Sequence, residues 1–244
     1  MENKSAISLT VTSLAIVKAY GANSCKRRLW YEMRYFDRAL DKKKILDTEA
    51  ILFLLRSVSA PQSNQNLMQI KTTDLDTHKT HHEKLVEKRK VELSRTFNKV
   101  VSNVKVKALI NSILVAGVLD LFAINDERKE YRIEEIKSGN SRSFGLEQAS
   151  YYLWLVKGGH LADCNLRDSI DGYSGSAYLF TDNESNLQAF SYDQKSVESD
   201  LDVVRPYWTQ NVAPNAVDEI NSKPEICGNC VAKMDCQYSA VPGH

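Results

Sequence analysis

Four cysteines, divided between the two ends of the chain, constrain its fold more than any other feature. Cys227, Cys230 and Cys236 form a C-x2-C-x5-C pattern near the C-terminus, while Cys25 stands far upstream. Thiolates are soft ligands, and four of them suit either a tetrahedral zinc ion or an iron–sulphur cluster. The pattern therefore predicts a metal-containing clasp that ties the N-terminal region of the chain to its C-terminal region.

The composition is that of one globular domain in a reducing compartment. The chain has 244 residues, of which 43% are hydrophobic and 26% are charged, which is enough to build a single core. No apolar run approaches the ~18 residues that cross a bilayer. An odd count of five cysteines argues against a secreted disulphide framework, and we expect Cys164 to be a free thiol. The sequence predicts a cytoplasmic protein without a membrane segment and leaves its oligomeric state open.

Charge is distributed unevenly along the chain. Between residues 79 and 107, nine lysines and arginines stand against three glutamates, whereas residues 160–225 carry twelve acids and four bases. This asymmetry suggests one face suited to a polyanion. A solvated helix face explains such a charge run equally simply, and charge alone favours that interpretation.

Hydrophobic periodicity divides the chain into four segments of one domain, residues 1–244. These are N-terminal helices with the first cysteine, a loop or insertion, a central core and the cysteine cluster: 1–58, 59–80, 81–210 and 211–244. Helices are predicted from Thr12 or Ser13 to Gly21 and over 24–36, 48–58, 81–98, 144–156 and 195–210. Strands are predicted over 100–106, 110–115, 118–124, 131–137, 177–181 and 187–192. Helices flanking a central mixed sheet make the fold class α/β or α+β.

Two carboxylates and a lysine form the candidate chemical site. Asp120 lies in one predicted strand, and Glu135 and Lys137 lie on one face of the next. If residues 125–129 connect these strands as a hairpin, Asp120 can lie across from Glu135. Two buried carboxylates side by side repel each other unless a cation lies between them, and both Lys137 and a divalent metal could serve.

Hard oxygen ligands of this type favour Mg²⁺ or Mn²⁺, which would neutralise charge on a phosphate and acidify a bound water. Lys137 could then orient or deprotonate that water, since burial near a metal can lower the pKa of a lysine. The simpler interpretation is a surface hairpin with ordinary salt bridges.

Two helices add candidates to this site. His82 is in phase with the apolar positions of its predicted helix and points inward, which suits either a core histidine or a metal ligand. His81 would replace it if the helix phase were shifted by one residue. Gln148 and Tyr152 are four residues apart on the next helix, hence on one face, where they could hold a phosphate or the lysine or simply pack in the core.

Taken together, these motifs resemble the RecB-like branch of the PD-(D/E)XK nucleases. The matching order is His82, Gly117-x-x-Asp120, Glu135-x-Lys137 and Gln148-x-x-x-Tyr152. One cysteine before this core and C-x2-C-x5-C after it narrow the resemblance to the iron–sulphur exonucleases of CRISPR adaptation. The run from Cys25 to Tyr31 also resembles the family's first-cysteine motif, in which a basic pair follows the ligand.

The resemblance implies a restriction-endonuclease-like core and a [4Fe–4S] cluster on Cys25, Cys227, Cys230 and Cys236. It further implies Mn²⁺ or Mg²⁺ on His82, Asp120, Glu135 and the carbonyl of Ile136, with Lys137 catalytic. Relatives of this type degrade single-stranded DNA, commonly from the 5′ end, and process new spacers alongside the CRISPR integrase. The chain departs from the family at Thr77 and His78, which occupy a region where a glycine usually precedes the histidine.

Arg27 and Arg28, beside the first cysteine, could bind DNA phosphates or belong to a solvated helix face. Two other functions fit the same residues. One is a non-catalytic, metal-stabilised DNA-binding subunit, and the other is a viral or repair nuclease of the same fold. DNA binding without metal-dependent cleavage would indicate the first of these.

Overall fold

The structure is a computed structural model that describes residues 7–21, 25–34, 81–138, 144–183 and 186–208. Its strands are β1 (Ile7–Thr10), β2 (Lys99–Ile110), β3 (Ile113–Asn125), β4 (Glu130–Lys137), β5 (Ser174–Thr181) and β6 (Asn186–Ala189). Its helices are α1 (Val11–Tyr20), α2 (Lys26–Arg34), α3 (81–93), α4 (Gly145–Lys157), α5 (Cys164–Ser169) and α6 (Gln194–Trp208). None of the helices in these ranges combines the length and hydropathy needed to span a membrane.

The long strand β3 organises a mixed sheet. One edge of β3 pairs with β2 over nearly its whole length, and the other edge pairs with β1 near its start and with β4 near its end. β4 then pairs with β5 in parallel, and β5 pairs with β6 in antiparallel fashion. On this second edge, β1 pairs with residues 113–116 of β3 and β4 pairs with residues 121–125. Residues 117–120 pair with neither strand, so their edge is open to other groups.

Helices cover both faces of this sheet. The larger core packs α1, α4 and α6 against one face, with Leu14, Tyr151 and Leu201 among its buried side chains. The smaller core packs α3 against the other face through Leu93. The predicted fold class, a central mixed sheet flanked by helices, is confirmed.

The alternation of side chains along β3 changes phase at Asp120. Up to Leu119, odd-numbered residues belong to the larger core, whereas beyond Asp120 the even-numbered Phe122 belongs to it and Leu121 belongs to the smaller core. Opposite Asp120, the ladder lacks one pair, and Asn103 of β2 adopts a left-handed conformation with φ 57°. Such a distortion bends and twists a sheet locally, and here it coincides with the candidate site.

Several predicted boundaries are wrong. The strand expected over 110–115 crosses a two-residue turn at Asn111 and Ser112, whose φ values of 48° and 67° suit a hairpin turn. Strand β1 and helix α5 were not predicted, and α1 is capped by Thr10, whose side chain accepts from Ser13 N. Helix α2 begins at Lys26, so that Cys25 precedes it. The helix predicted over 48–58, the segment 59–80 and the region 211–244 lie outside the described residues.

Candidate active site

Asp120 and Glu135 occupy the point at which β3 and β4 diverge. The pair Leu121–Glu134 is the last one of the ladder at this end, so Asp120 and Glu135 follow it on either strand. Their exposed fractions are 4% and 2%, and Asp120 Oδ2 accepts a hydrogen bond of 2.9 Å from Ile136 N. The hairpin connection at 125–129 agrees with the sequence prediction.

Lys137 supplies the positive charge beside these carboxylates. Its Nζ lies 2.5 Å from Glu135 Oε1. Burial by itself lowers the pKa of this ammonium, but Glu135 and then Asp120 outweigh burial, so that the pKa of Lys137 is raised. Between these protein groups alone, Lys137 is therefore a charged hydrogen-bond donor, and a lowered pKa beside a bound metal stays a prediction.

His82, at the start of the described part of α3, lies on the far side of Asp120. Its Nε2 is 3.5 Å from Asp120 Oδ1, and the imidazole is half-buried, whereas His81 is exposed. Of the two histidines considered from the sequence, His82 is therefore the one shown in contact with Asp120.

His82, Asp120 and Glu135 are side chains of the types that bind a hard divalent cation. Within the described residues, no group of three histidine, cysteine or acidic side chains is already gathered around one point. His82 contacts Asp120, while Glu135 is held by Lys137. Carboxylates with an imidazole are ligands that Mg²⁺ and Mn²⁺ accept.

Gln148 and Tyr152 of α4 close the site from the side of the larger core. The Tyr152 hydroxyl donates to Val118 O at 3.0 Å, and Gln148 Nε2 donates to Thr12 Oγ1 at 3.3 Å. Burial, followed by the charge of Glu135, raises the pKa of Tyr152 well above its usual value. Gln148 Oε1 is buried and has no hydrogen-bond partner among the described residues. It is an acceptor left over inside the site, where buried polar atoms are normally paired.

Two glycines allow this packing. A Cβ on Gly117 would lie 2.8 Å from Tyr152 Cε1 and 2.9 Å from Val11 Cγ2, and a Cβ on Gly145 would lie 3.1 Å from Lys137 Cγ. Gly117 belonged to the predicted motif, but sequence reasoning missed Gly145. The clue in the sequence is a glycine in the first turn of a predicted helix, at a position where helix capping does not require one.

We expect Gly117→Ala to destabilise the protein by about 1–3 kcal/mol, because the added methyl group must displace the Tyr152 ring from a full core. Denaturant unfolding measures this change. Tyr152→Phe is the matched control, since it removes only the hydroxyl and its hydrogen bond, at about 1 kcal/mol. A Gly117→Ala cost no larger than that of the control would contradict the predicted displacement.

The first-cysteine region lies on α2 and on the residue before it. Cys25 is buried, and its carbonyl accepts from Leu29 N at 3.1 Å. Arg28 is only 3% exposed and Arg27 is half-buried. The burial of Arg28 favours neither of the two interpretations considered from the sequence, a direct phosphate contact or a solvated helix face. Cys227, Cys230 and Cys236 lie outside the described residues.

Comparison with known proteins adds little to this geometry. No protein-family model matches the chain, and no curated protein does. Among solved structures, the chain is similar to the crystal structure of SSO0001, at 17% identity and a TM-score of 0.47, covering 98% of this chain and 90% of that one. This likeness is too weak to assign a fold family or an activity.

Proposed function

We propose that this chain is a divalent-metal-dependent deoxyribonuclease that degrades single-stranded DNA from its ends. The observation that carries the proposal is the buried pair of carboxylates, Asp120 and Glu135, where two strands diverge. Lys137 lies against one of them and His82 lies 3.5 Å from the other. Burying two like charges is costly. A bound divalent cation would offset this cost and could in turn bind a phosphate.

Each residue then has a role. His82, Asp120, Glu135 and the Ile136 carbonyl would hold Mn²⁺ or Mg²⁺, which supplies positive charge to the scissile phosphate and acidifies water. Lys137 donates hydrogen bonds to the attacking water or to a phosphate oxygen. Gln148 offers Oε1, an acceptor that no described residue pairs with, from the α4 side. Tyr152 supports the β3 strand through the Val118 carbonyl.

The finer parts of the proposal depend on the resemblance to the RecB-like PD-(D/E)XK exonucleases of CRISPR adaptation. These parts are the restriction-endonuclease-like core, the [4Fe–4S] cluster on Cys25, Cys227, Cys230 and Cys236, the 5′ to 3′ direction and a role in spacer acquisition with the CRISPR integrase. Cys25 is buried just before α2, and its thiolate would be one of the four ligands of such a cluster.

The test combines an absorption spectrum with a digestion. We expect anaerobically purified protein to show a broad band near about 400 nm from the cluster and to shorten 5′-labelled single-stranded DNA in Mn²⁺. EDTA should stop the shortening. A 3′-labelled strand read beside it reports the direction of attack.

A colourless, zinc-containing protein that binds DNA without cutting it would overturn the nuclease proposal and indicate the DNA-binding subunit. DNA cleavage by a colourless protein would support the nuclease proposal and contradict the proposed cluster.

A further inference from the structure

A second set of charges lies directly beside the candidate site, on the opposite face of β4. The Glu134 carboxylate is completely buried, with an exposed fraction of 0%. Arg89 of α3 donates to it through two nitrogens, Nε to Oε2 at 2.6 Å and Nη2 to Oε1 at 2.8 Å. Arg132 Nε also donates to Glu134 Oε1 at 2.6 Å. Glu134 is therefore held from both a helix and its own strand.

Aromatic rings of β5 complete this cluster. The guanidinium carbon of Arg132 lies 3.7 Å from the centroid of the Tyr178 ring, and that of Arg89 lies 4.8 Å from the Phe180 centroid. Planar guanidinium groups stack on rings and bind carboxylates in a forked geometry that lysine does not reproduce. The position of α3 relative to β4 is thus fixed by oriented contacts, in addition to apolar packing.

A buried ion pair is a weak source of stability, since apolar residues of similar volume often do as well or better. Its position suggests a different purpose. Glu134 is the neighbour of Glu135 in the chain and pairs with Leu121, the neighbour of Asp120. Arg89 is two helical turns after His82, and residues two turns apart share a side of a helix.

We propose that the Arg89–Glu134 pair is a positioning device that sets the His82 imidazole against Asp120. In this scheme α3 is a rigid arm, held at Arg89 and bearing a metal ligand at His82. The inference rests on the proposed function for its purpose, but the geometry it claims can be tested without any cleavage or metal.

The first test measures the reactivity of His82 in the metal-free, full-length protein. Diethylpyrocarbonate modifies accessible imidazoles, and mass spectrometry gives the rates for His82 and for the exposed His81, the internal reference. In Arg89→Met we expect the rate for His82 to rise several-fold and approach that of His81. Arg128→Met is the control, because Arg128 pairs with Glu130 at 3.5 Å on the surface of the same hairpin.

An unchanged ratio of His82 to His81 modification in Arg89→Met would overturn the positioning role, whether or not the protein cuts DNA. Should Arg89→Met fail to fold, Arg89→Lys keeps the positive charge and loses only the fork. In Arg89→Lys the ratio of His82 to His81 modification should rise by a smaller factor. A ratio equal to that of the wild type would again overturn the proposal.

The second test is a double-substitution cycle on Mn²⁺ affinity, measured by calorimetry. Residues that orient metal ligands change affinity by about tenfold or more, and we expect a loss on the order of tenfold for Arg89→Met. In a His82→Ala background the same change should have little effect, since coupled residues are not additive. Equal losses in both backgrounds would mean that Arg89 acts on the fold and not through His82. Absence of Mn²⁺ binding by the wild type would instead count against the proposed function.

Discussion

We expect Asp120→Asn to abolish measurable DNA cleavage and Lys137→Ala to reduce it steeply, while both variants remain folded. Asp120 is the carboxylate between His82 and β4, and replacing its charge weakens a proposed metal ligand. Asparagine retains an oxygen that can accept from Ile136 N, now bonded to Asp120 Oδ2 at 2.9 Å. It is therefore a cleaner variant than Asp120→Ala, which would leave a buried N–H unpaired at a cost of about 1–3 kcal/mol.

For Lys137→Ala, we expect the single-turnover rate to fall by about 10²–10⁴-fold, the range for removing a group that moves or holds a proton. Lys137→Arg separates the two possible roles. Arginine keeps a cation beside Glu135 but does not deprotonate, so it should retain part of the rate only if Lys137 acts as a hydrogen-bond donor. The hydrogen bond of 2.5 Å from Lys137 Nζ to Glu135 Oε1 favours that outcome.

The control for both changes is Glu130→Gln, which alters a half-buried carboxylate at the start of β4. It should leave the cleavage rate within about twofold of the wild type, as for surface changes away from the site. Circular dichroism and thermal melting show whether each variant is folded. Cleavage that survives in both Asp120→Asn and Lys137→Ala would disprove the site assignment.

The sequence predicted the local features of this site because they depend on short-range pattern. Glu135 and Lys137 share a strand face through simple alternation, and the polar run at 125–129 has the composition of a hairpin loop. His82 followed from helical spacing. In each case the relevant separation along the chain is small.

What the sequence did not predict depends on contacts between distant segments or on local distortion. Strand β1 is four residues long and exists through its parallel pairing with Ile113–Ala116, which no local pattern encodes. The change of phase at Asp120 breaks the alternation rule itself, and its signal is an asparagine, Asn103, on the neighbouring strand. The Arg89–Glu134 pair was missed because a basic residue on a helix is usually solvated.

Cys25→Ala should abolish the absorption band of the proposed cluster and destabilise the protein far more than the loss of one buried side chain. Removing a buried thiol without a metal costs only about 1 kcal/mol, similar to other small truncations in a core. Where a metal site forms on folding, the metal-binding energy is also folding energy, and the loss of a ligand should cost several kcal/mol.

Cys164→Ala is the matched control, since this thiol is exposed on α5 and outside the proposed ligand set. It should keep both the spectrum and the melting temperature of the wild type. Cys227→Ala should behave like Cys25→Ala, because each would remove one of four ligands from the same group. If Cys25→Ala retains the full metal content and loses only about 1 kcal/mol, the two ends of the chain are not joined through a shared cluster. Cys25 would then be an ordinary core residue before α2, and the nuclease site would have to be stable without the clasp.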